Sequence, residues 1–291
     1  LLMHMGQIPL KLFDVAHPKR FLQPNQPFGY LNAVTSNTNH NAPIAAINFA
    51  SSLVLHIDGR ISKFNEPPKR CFFLDGCGCD PLNTMSFKNG FATIRKNSNA
   101  IYLIKDEQQQ VVQYRKRHLS IITAVCAVGS RLFTGDMDGI VSSETSTITA
   151  LHKSPIVSIA GCELLSILVS LSKNGIVGVS HLNNLKFIRS FKLDIQPGFS
   201  PFKVVLCHEF GFICVVSISK DNTSSIISNF TINGEKIISV HWNIRITNIM
   251  SLSKTNGMDY LIVSDDKCRV HLINAFELTI IGLIAENEQN I

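Results

Sequence analysis

Cys71, Cys77 and Cys79, with Asp75 and Asp80 beside them, form the densest cluster of metal-ligating residue types in the chain. A structural zinc site takes four ligands, usually as two short-spaced Cys or Cys/His pairs that each close a chelate ring around a tetrahedral ion. This spacing supplies neither pair, and Cys-Gly-Cys closes an awkward ring. The segment therefore reads as a Gly-rich loop, and neither a metal nor any other cofactor is expected. The 10 histidines are scattered along the chain. There is no Gly-x-Ser-x-Gly elbow, no His-Glu-x-x-His pair and no Gly-x-x-x-x-Gly-Lys-Ser/Thr phosphate loop. No catalytic residue can be assigned, and the chain is read as a non-enzyme.

The one concentrated basic run is Tyr114-Arg115-Lys116-Arg117-His118. Basic side chains next to an aromatic ring can contact RNA or anionic lipid headgroups, which makes Arg115, Lys116 and Arg117 a candidate contact patch. The plainer reading, a solvated outer strand and loop, is preferred, because charge on an outer strand also discourages edge pairing. The formal net charge of +6 over 291 residues is small and dispersed, so nucleic acid is disfavoured as a partner. Trp242, the single tryptophan, follows the apolar run Ile237-Ile-Ser-Val and is expected to pack in the core or at a rim. On an open face it would instead mark a partner hot spot.

Those residues must be positioned by elements of some kind, and composition narrows the choice. Hydrophobic residues make up 45% of the chain and charged residues 16%, so a large buried core is expected. Several of the 8 cysteines lie inside apolar runs, such as Cys214 in Gly211-Phe-Ile-Cys-Val-Val, where a thiol acts as a small hydrophobe. A reducing, cytoplasmic setting fits that usage. No apolar stretch approaches the roughly 20 residues a membrane helix needs. The first residue is Leu and no start-like segment follows, which suggests part of a longer chain.

Three zones separate by composition, with a short tail. Residues 1–20 have helical character, with Leu1, Leu2, Met5, Leu10, Leu12 and Phe13 and a kink or restart at Pro9. Residues 21–42 carry the Pro, Asn and Ser of a linker, within which Phe28-Gly-Tyr-Leu-Asn-Ala-Val offers a ring-closing strand. Residues 43–285 alternate β-rich runs with tight turns, and 286–291 form the tail. Turn signals recur at Asp58-Gly59, Ser98-Asn99, Asp138-Gly139, Asn174-Gly175, Asp221-Asn222 and Asp266-Lys267, at spacings of roughly 36 to 47 residues, near the repeat length of a four-stranded propeller blade. Around Gly139, Ile121–Val128, Arg131–Asp136, Ile140–Ser143 and Thr147–Leu151 supply four strands in order, with a type I′ hairpin at Asp138-Gly139. The next unit repeats that order from Ile156 to Phe191. The expected fold is an all-β propeller with six visible blades, six or seven in total.

The β-rich zone resembles the WD-repeat family. His118 and His152 stand where its blades place a loop histidine, Thr134 and Ser170 where they place a second-strand hydroxyl, and Asp138 and Asn174 at the hairpin. The family's Trp-Asp pair is replaced, by Phe64-Asn65, Glu144-Thr145 and Ile273-Asn274 among others, so its inter-blade hydrogen-bond network is incomplete. The first twenty residues resemble the closing motif of the BEACH domain: Gly6-Gln7-x-Pro9, then Leu12-Phe13, then His17-Pro18-x-Arg20, ahead of a linker and WD repeats. Neurobeachin-like and lysosomal-trafficking-regulator-like proteins share that order.

The resemblance implies a non-catalytic scaffold whose propeller loops bind other proteins beside an upstream BEACH domain. It also implies a role in vesicle trafficking, membrane dynamics or autophagy, and a cytoplasmic place, peripheral on vesicle or endolysosomal membranes. The rival readings are a stand-alone WD-repeat adaptor, such as a ubiquitin-ligase substrate receptor, and a basic nucleic-acid-associated propeller.

Overall fold

The computed structural model describes residues 83–88, 90–94, 99–105, 118–143, 151–253, 258–267 and 269–285, together with strands at 13–14, 17–21, 44–48, 53–56, 61–63, 111–113 and 147–148. The chain divides into two compact units, 1–119 with 284–291, and 120–283.

In the first unit, β1 (Phe13–Asp14) and β2 (His17–Phe21) pair antiparallel, with Phe13 opposite Phe21. The expectation of a helical N-terminus is corrected for these residues. Pro18 lies inside β2, and a proline disfavours the helical region for the residue before it. It is tolerated in β2 because both strands of a two-stranded ribbon are edges. Of the positions likened to the BEACH closing motif, Phe13, His17, Pro18 and Arg20 fall on this ribbon. Gly6, Gln7, Pro9 and Leu12 lie outside the described residues, as does the proposed ring-closing segment at 28–34.

Two further sheets complete that unit: β3 (Ile44–Asn48), β4 (Leu53–His56) and β5 (Ile61–Lys63) in one, and β6 (Met85–Phe87), β7 (Gly90–Ile94), β8 (Ile101–Lys105) and β9 (Val111–Gln113) in the other. β3 lies against β6.

The second unit holds four antiparallel sheets, each a simple up-and-down meander. They are β10 (Ile122–Val128) to β13 (Thr147–Ile148) by way of β11 (Arg131–Asp136) and β12 (Val141–Ser142); β14 (Ile156–Cys162), β15 (Ile167–Ser172), β16 (Ile176–His181) and β17 (Phe187–Lys192); β18 (Phe199–Leu206), β19 (Ile213–Ser219), β20 (Ser225–Phe230) and β21 (Lys236–Trp242); and β22 (Ile246–Ser253), β23 (Asp259–Asp265), β24 (Val270–Asn274) and β25 (Ile280–Ala285). The first strands β10, β14, β18 and β22 succeed one another side by side.

Burial is graded across each sheet, which explains the runs in the sequence. All seven residues of β19, Ile-Cys-Val-Val-Ser-Ile-Ser, are buried, because a second strand has a neighbouring sheet on both faces. A continuous apolar run is what such a strand needs. The outer strand β17, Phe-Ile-Arg-Ser-Phe-Lys, is almost wholly exposed and correspondingly mixed. The core is therefore laid down between sheets. One apolar layer joins Leu171, Val177 and Val179 to Val204, Leu206 and Val215, and the next joins Val216 and Ile227 to Ile249, Leu261 and Val263.

A β-bulge recurs in the first strand of five sheets, between Ile44 and Ala46, Ile122 and Ala124, Ile156 and Ser158, Pro201 and Lys203, and Ile246 and Asn248. An extra residue there raises the local twist, which suits strands that splay from one centre. Five of the six expected units are four-stranded blades; the first, over 44–63, shares the bulge but has three strands among the described residues.

Candidate interaction surface

The hairpins between second and third strands are tied by one repeated device. The last residue of each second strand in the second unit carries a short oxygen side chain that binds the turn ahead of it. Asp136 Oδ1 accepts from the amides of Asp138 (3.0 Å) and Ile140 (2.9 Å). Ser172 Oγ accepts from Ile176 N at 3.2 Å, and Ser219 Oγ accepts from Thr223 N and Ser224 N at 3.1 and 3.0 Å. Asp265 Oδ1 accepts from Lys267 N and Arg269 N, both at 2.9 Å. Its Oδ2 meets Arg269 Nη2 at 2.8 Å and His271 Nε2 at 3.0 Å. Burial opposes ionisation of Asp265, but hydrogen bonds from His271 and Arg269 and the Arg269 charge outweigh it and hold the carboxyl below its ordinary range.

Reading the sequence places the hairpin residues one or two positions further on, at Asp138, Asn174, Asp221 and Asp266. Turn and anchor are both Asp, Asn or Ser, so residue type alone does not separate them. Burial does: Asp136 is buried and Asp138 exposed. The available signal was position, because the anchor closes the apolar second strand.

His152 and Ser170 are brought together, with Nε2 and Oγ 2.7 Å apart and both residues buried. Thr134 Oγ1 donates to Ser142 O at 3.3 Å, within its own sheet. His118 is buried, and its carbonyl accepts from Asn99 Nδ2 at 3.3 Å. Asn174, exposed, receives the Ser172 hydroxyl on Oδ1 at 2.6 Å. Trp242 is buried on β21, edge-on to His271 with ring centroids 5.7 Å apart. Arg115, Lys116 and Arg117 lie outside the described residues, as do Cys71, Cys77 and Cys79.

Burial pushes the pKa of His152 down from 6.5 to about 4. Between those two values the unfolded chain takes up a proton that the folded chain refuses, so stability falls as the pH drops from 6.5 towards 4. The loss from this one residue reaches roughly 3 kcal/mol at 1.36 kcal/mol per pKa unit. Urea unfolding at pH 7.0 and 4.5 checks this. His152→Gln, which cannot titrate, should flatten the dependence in that window, and equal pH slopes in both proteins would refute it.

The same physics favours the protonated form of the thiols. Burial raises Cys126 to about 11; burial and then the Asp259 carboxylate raise Cys207 to about 12; and Cys214, fully buried, lies well above its ordinary value. Among the described residues Cys126, Cys162, Cys207 and Cys214 are free of disulfides. Among those residues, too, no group of three or more His, Cys, Asp or Glu side chains could hold a metal ion, and no helix is long and apolar enough to cross a membrane.

The opposite end of the second unit carries the hairpins between first and second strands and between third and fourth strands, and here apolar groups reach solvent. Phe210 stacks on Phe212 with centroids 5.5 Å apart, and both meet Phe276 of the next sheet at 5.9 and 5.8 Å. Phe276 is half-exposed, and Leu164 on a neighbouring hairpin is 72% exposed.

The loop bearing Phe210 is held rather than loose. Asp259 is fully buried at the start of β23, and its Oδ1 accepts from His208 N at 3.2 Å. Its Oδ2 accepts from Glu209 N at 2.8 Å and Phe210 N at 2.9 Å. Gly211 N donates to Cys207 O at 2.9 Å, with Gly211 at φ +70°, where an L side chain is disfavoured. On the other side Asn274 Oδ1 accepts from Phe276 N and Glu277 N at 2.9 and 3.2 Å. Sequence reasoning missed this cluster, because its members lie in three segments with no shared spacing.

Strands succeeding one another in bulged four-stranded meanders, with the core between sheets, leave one architecture. The chain is similar to the BBS1N chain in two crystal structures of BBS1N in complex with ARL6DN, one soaked with mercury and one with lead. The TM-scores are 0.54 and 0.56 and the identities 15% and 16%, and each match covers 80% of this chain and 75% of that chain. The fold is a β-propeller. Likeness at such identity shows the fold alone. No family model and no curated protein sequence matches the chain. On the propeller, the Phe210, Phe212 and Phe276 cluster sits on hairpins tied by the buried Asp259 and the part-buried Asn274, an arrangement suited to rigid presentation of apolar side chains.

Proposed function

We propose that this chain is a non-catalytic protein-interaction scaffold that holds a protein partner on the hairpin face bearing Phe210, Phe212 and Phe276. The observation that carries the reading is the tying of the hairpin backbones that bear those rings by the buried Asp259 and by Asn274. An aromatic cluster that is rigid before binding loses little entropy on binding, and aromatic residues are enriched among interface hot spots. The propeller fold and a propeller neighbour crystallised with another protein support the same reading.

The chain is the propeller-bearing part of a BEACH-type protein, and it acts in vesicle trafficking, membrane dynamics or autophagy, in the cytoplasm and peripherally at vesicle or endolysosomal membranes. What supports this is the order Gly6-Gln7-x-Pro9, Leu12-Phe13 and His17-Pro18-x-Arg20, then a linker, then blades. Translation of the coding region upstream of Leu1 is expected to give the body of a BEACH domain; an unrelated or absent reading frame there would remove the assignment.

The scaffold role is tested by quantitative co-purification of the tagged chain and its Phe210→Ala/Phe276→Ala variant from cells. Proteins that depend on the two rings should drop out of the variant's set. Identical sets would overturn the reading.

A further inference from the structure

We propose that this face of the second unit receives a protein segment whose apolar anchor is flanked by lysine or arginine. The inference rests on the interaction reading above and adds the chemistry of the partner. The apolar part is the Phe210, Phe212 and Phe276 cluster, extended by Leu165 and Ile232, whose Cδ1 atoms lie 3.7 and 3.9 Å from where a Cβ on Gly211 would stand. Around it, four of the hairpins on this face each expose a glutamate: Glu163, Glu209, Glu235 and Glu277.

Contacts fix the position of two of the four. Glu163 leans over Gly129, its Oε1 3.0 Å from an ideal Cβ there, and Glu277 Oε2 accepts the Thr279 hydroxyl at 3.2 Å. Among the described residues, three basic groups stand at the hairpins of this face. Arg131 is turned onto Leu182 O and Asn183 Oδ1 at 3.3 and 2.7 Å, while Lys186 and Lys236 are exposed at the roots of the outer strands.

The chain as a whole is positive, +6, so the glutamates on this face run against its net charge. That decides between occupants. An apolar patch by itself would suit a lipid surface, a second copy of the chain or another protein. Anionic headgroups are repelled by the glutamates, and a second copy using this face would set glutamates against glutamates. A protein segment with basic flanks meets complementary charge at the rim while its apolar anchor fills the centre.

The test selects a phage-displayed library of short random peptides on the full chain, then measures one enriched synthetic peptide by fluorescence polarisation. The enriched peptides should carry Phe, Leu or Trp between Lys or Arg. Phe276→Ala and Glu209→Lys/Glu277→Lys should each weaken binding roughly tenfold or more, while Lys173→Glu on the opposite end leaves it unchanged. Phe276 is half-exposed, so its removal spares the fold, and unchanged thermal midpoints check this.

Peptides that depend on Phe276 but lack basic flanks would overturn this inference and leave the interaction reading standing. Absence of any peptide that depends on Phe276 would overturn the inference, as would sedimentation with phosphatidylserine vesicles that Phe276→Ala abolishes. The ring-dependent co-purification described above then decides the interaction reading separately.

Discussion

Asp259→Ala is expected to lower unfolding stability by about 3 kcal/mol or more and to loosen the loop that carries Phe210. The carboxylate is fully buried and accepts three consecutive backbone amides, those of His208, Glu209 and Phe210, from about fifty residues away in sequence. Alanine leaves three part-buried donors without their acceptor, and a donor left unsatisfied costs about 1–3 kcal/mol when fully buried and less where water reaches it. Hydrogen bonds to a charged acceptor are also the stronger kind. Asp259→Asn keeps an acceptor oxygen but not the charge, and should fall between the two.

Two measurements check the prediction. Urea unfolding gives the stability, and hydrogen exchange read at the amides of 208–210 locates the loss. Exchange there should accelerate far more than in β14–β17, where the hydrogen bonds are untouched. A stability change of a few tenths of a kcal/mol with unaltered exchange would show that the loop holds itself. Because Phe210 and Phe212 lie on that loop, Asp259→Ala should also weaken peptide binding at temperatures where the chain is folded.

Gly135→Ala is expected to cost about 2–3 kcal/mol, the upper part of the range for forcing extra volume into a packed core. Gly135 is the penultimate residue of β11 and faces β14 of the neighbouring sheet. A Cβ there would stand 2.5, 2.7 and 3.0 Å from Cγ2, Cβ and Cγ1 of Ile156. Ile156 is fully buried and branched at Cβ, so it cannot swing aside, and the sheets themselves must separate. Gly178→Ala makes the contrast: its added methyl meets Leu151 Cδ2 first, the far end of a flexible side chain, with Leu151 Cγ and His152 Nε2 at 3.0 and 3.1 Å. Its cost should be smaller, about 1 kcal/mol.

A double-mutant cycle identifies the contact. Ile156→Ala alone should cost about 2–5 kcal/mol, and the pair should cost less than the sum, because trimming Ile156 relieves part of the clash. Strict additivity would place the strain elsewhere.

The strands of the second unit were legible because their signals are local. Ile121–Val128, Arg131–Asp136 and the Asp138-Gly139 turn are read from side-chain alternation and turn chemistry within a few residues, and β10 and β11 occupy those positions. The N-terminal ribbon was not read correctly, since Leu and Phe at irregular spacing suit a helix as well as an extended pair, and Pro18 should have weighed more. The hairpin anchors were displaced by one or two residues because Asp and Ser favour both the strand end and the turn.

By itself the sequence determined that the chain is all-β through most of its length, where its turns fall, and that each unit meanders, since those properties depend on residues adjacent in the chain. Only the tertiary structure decided that Asp259 clamps 208–210, that Gly135 must lack a side chain, and that Phe210, Phe212 and Phe276 share a face with four glutamates. Each of those depends on which sheet lies beside which, a packing set by buried area summed over whole strands, and such a sum leaves no mark at any single position.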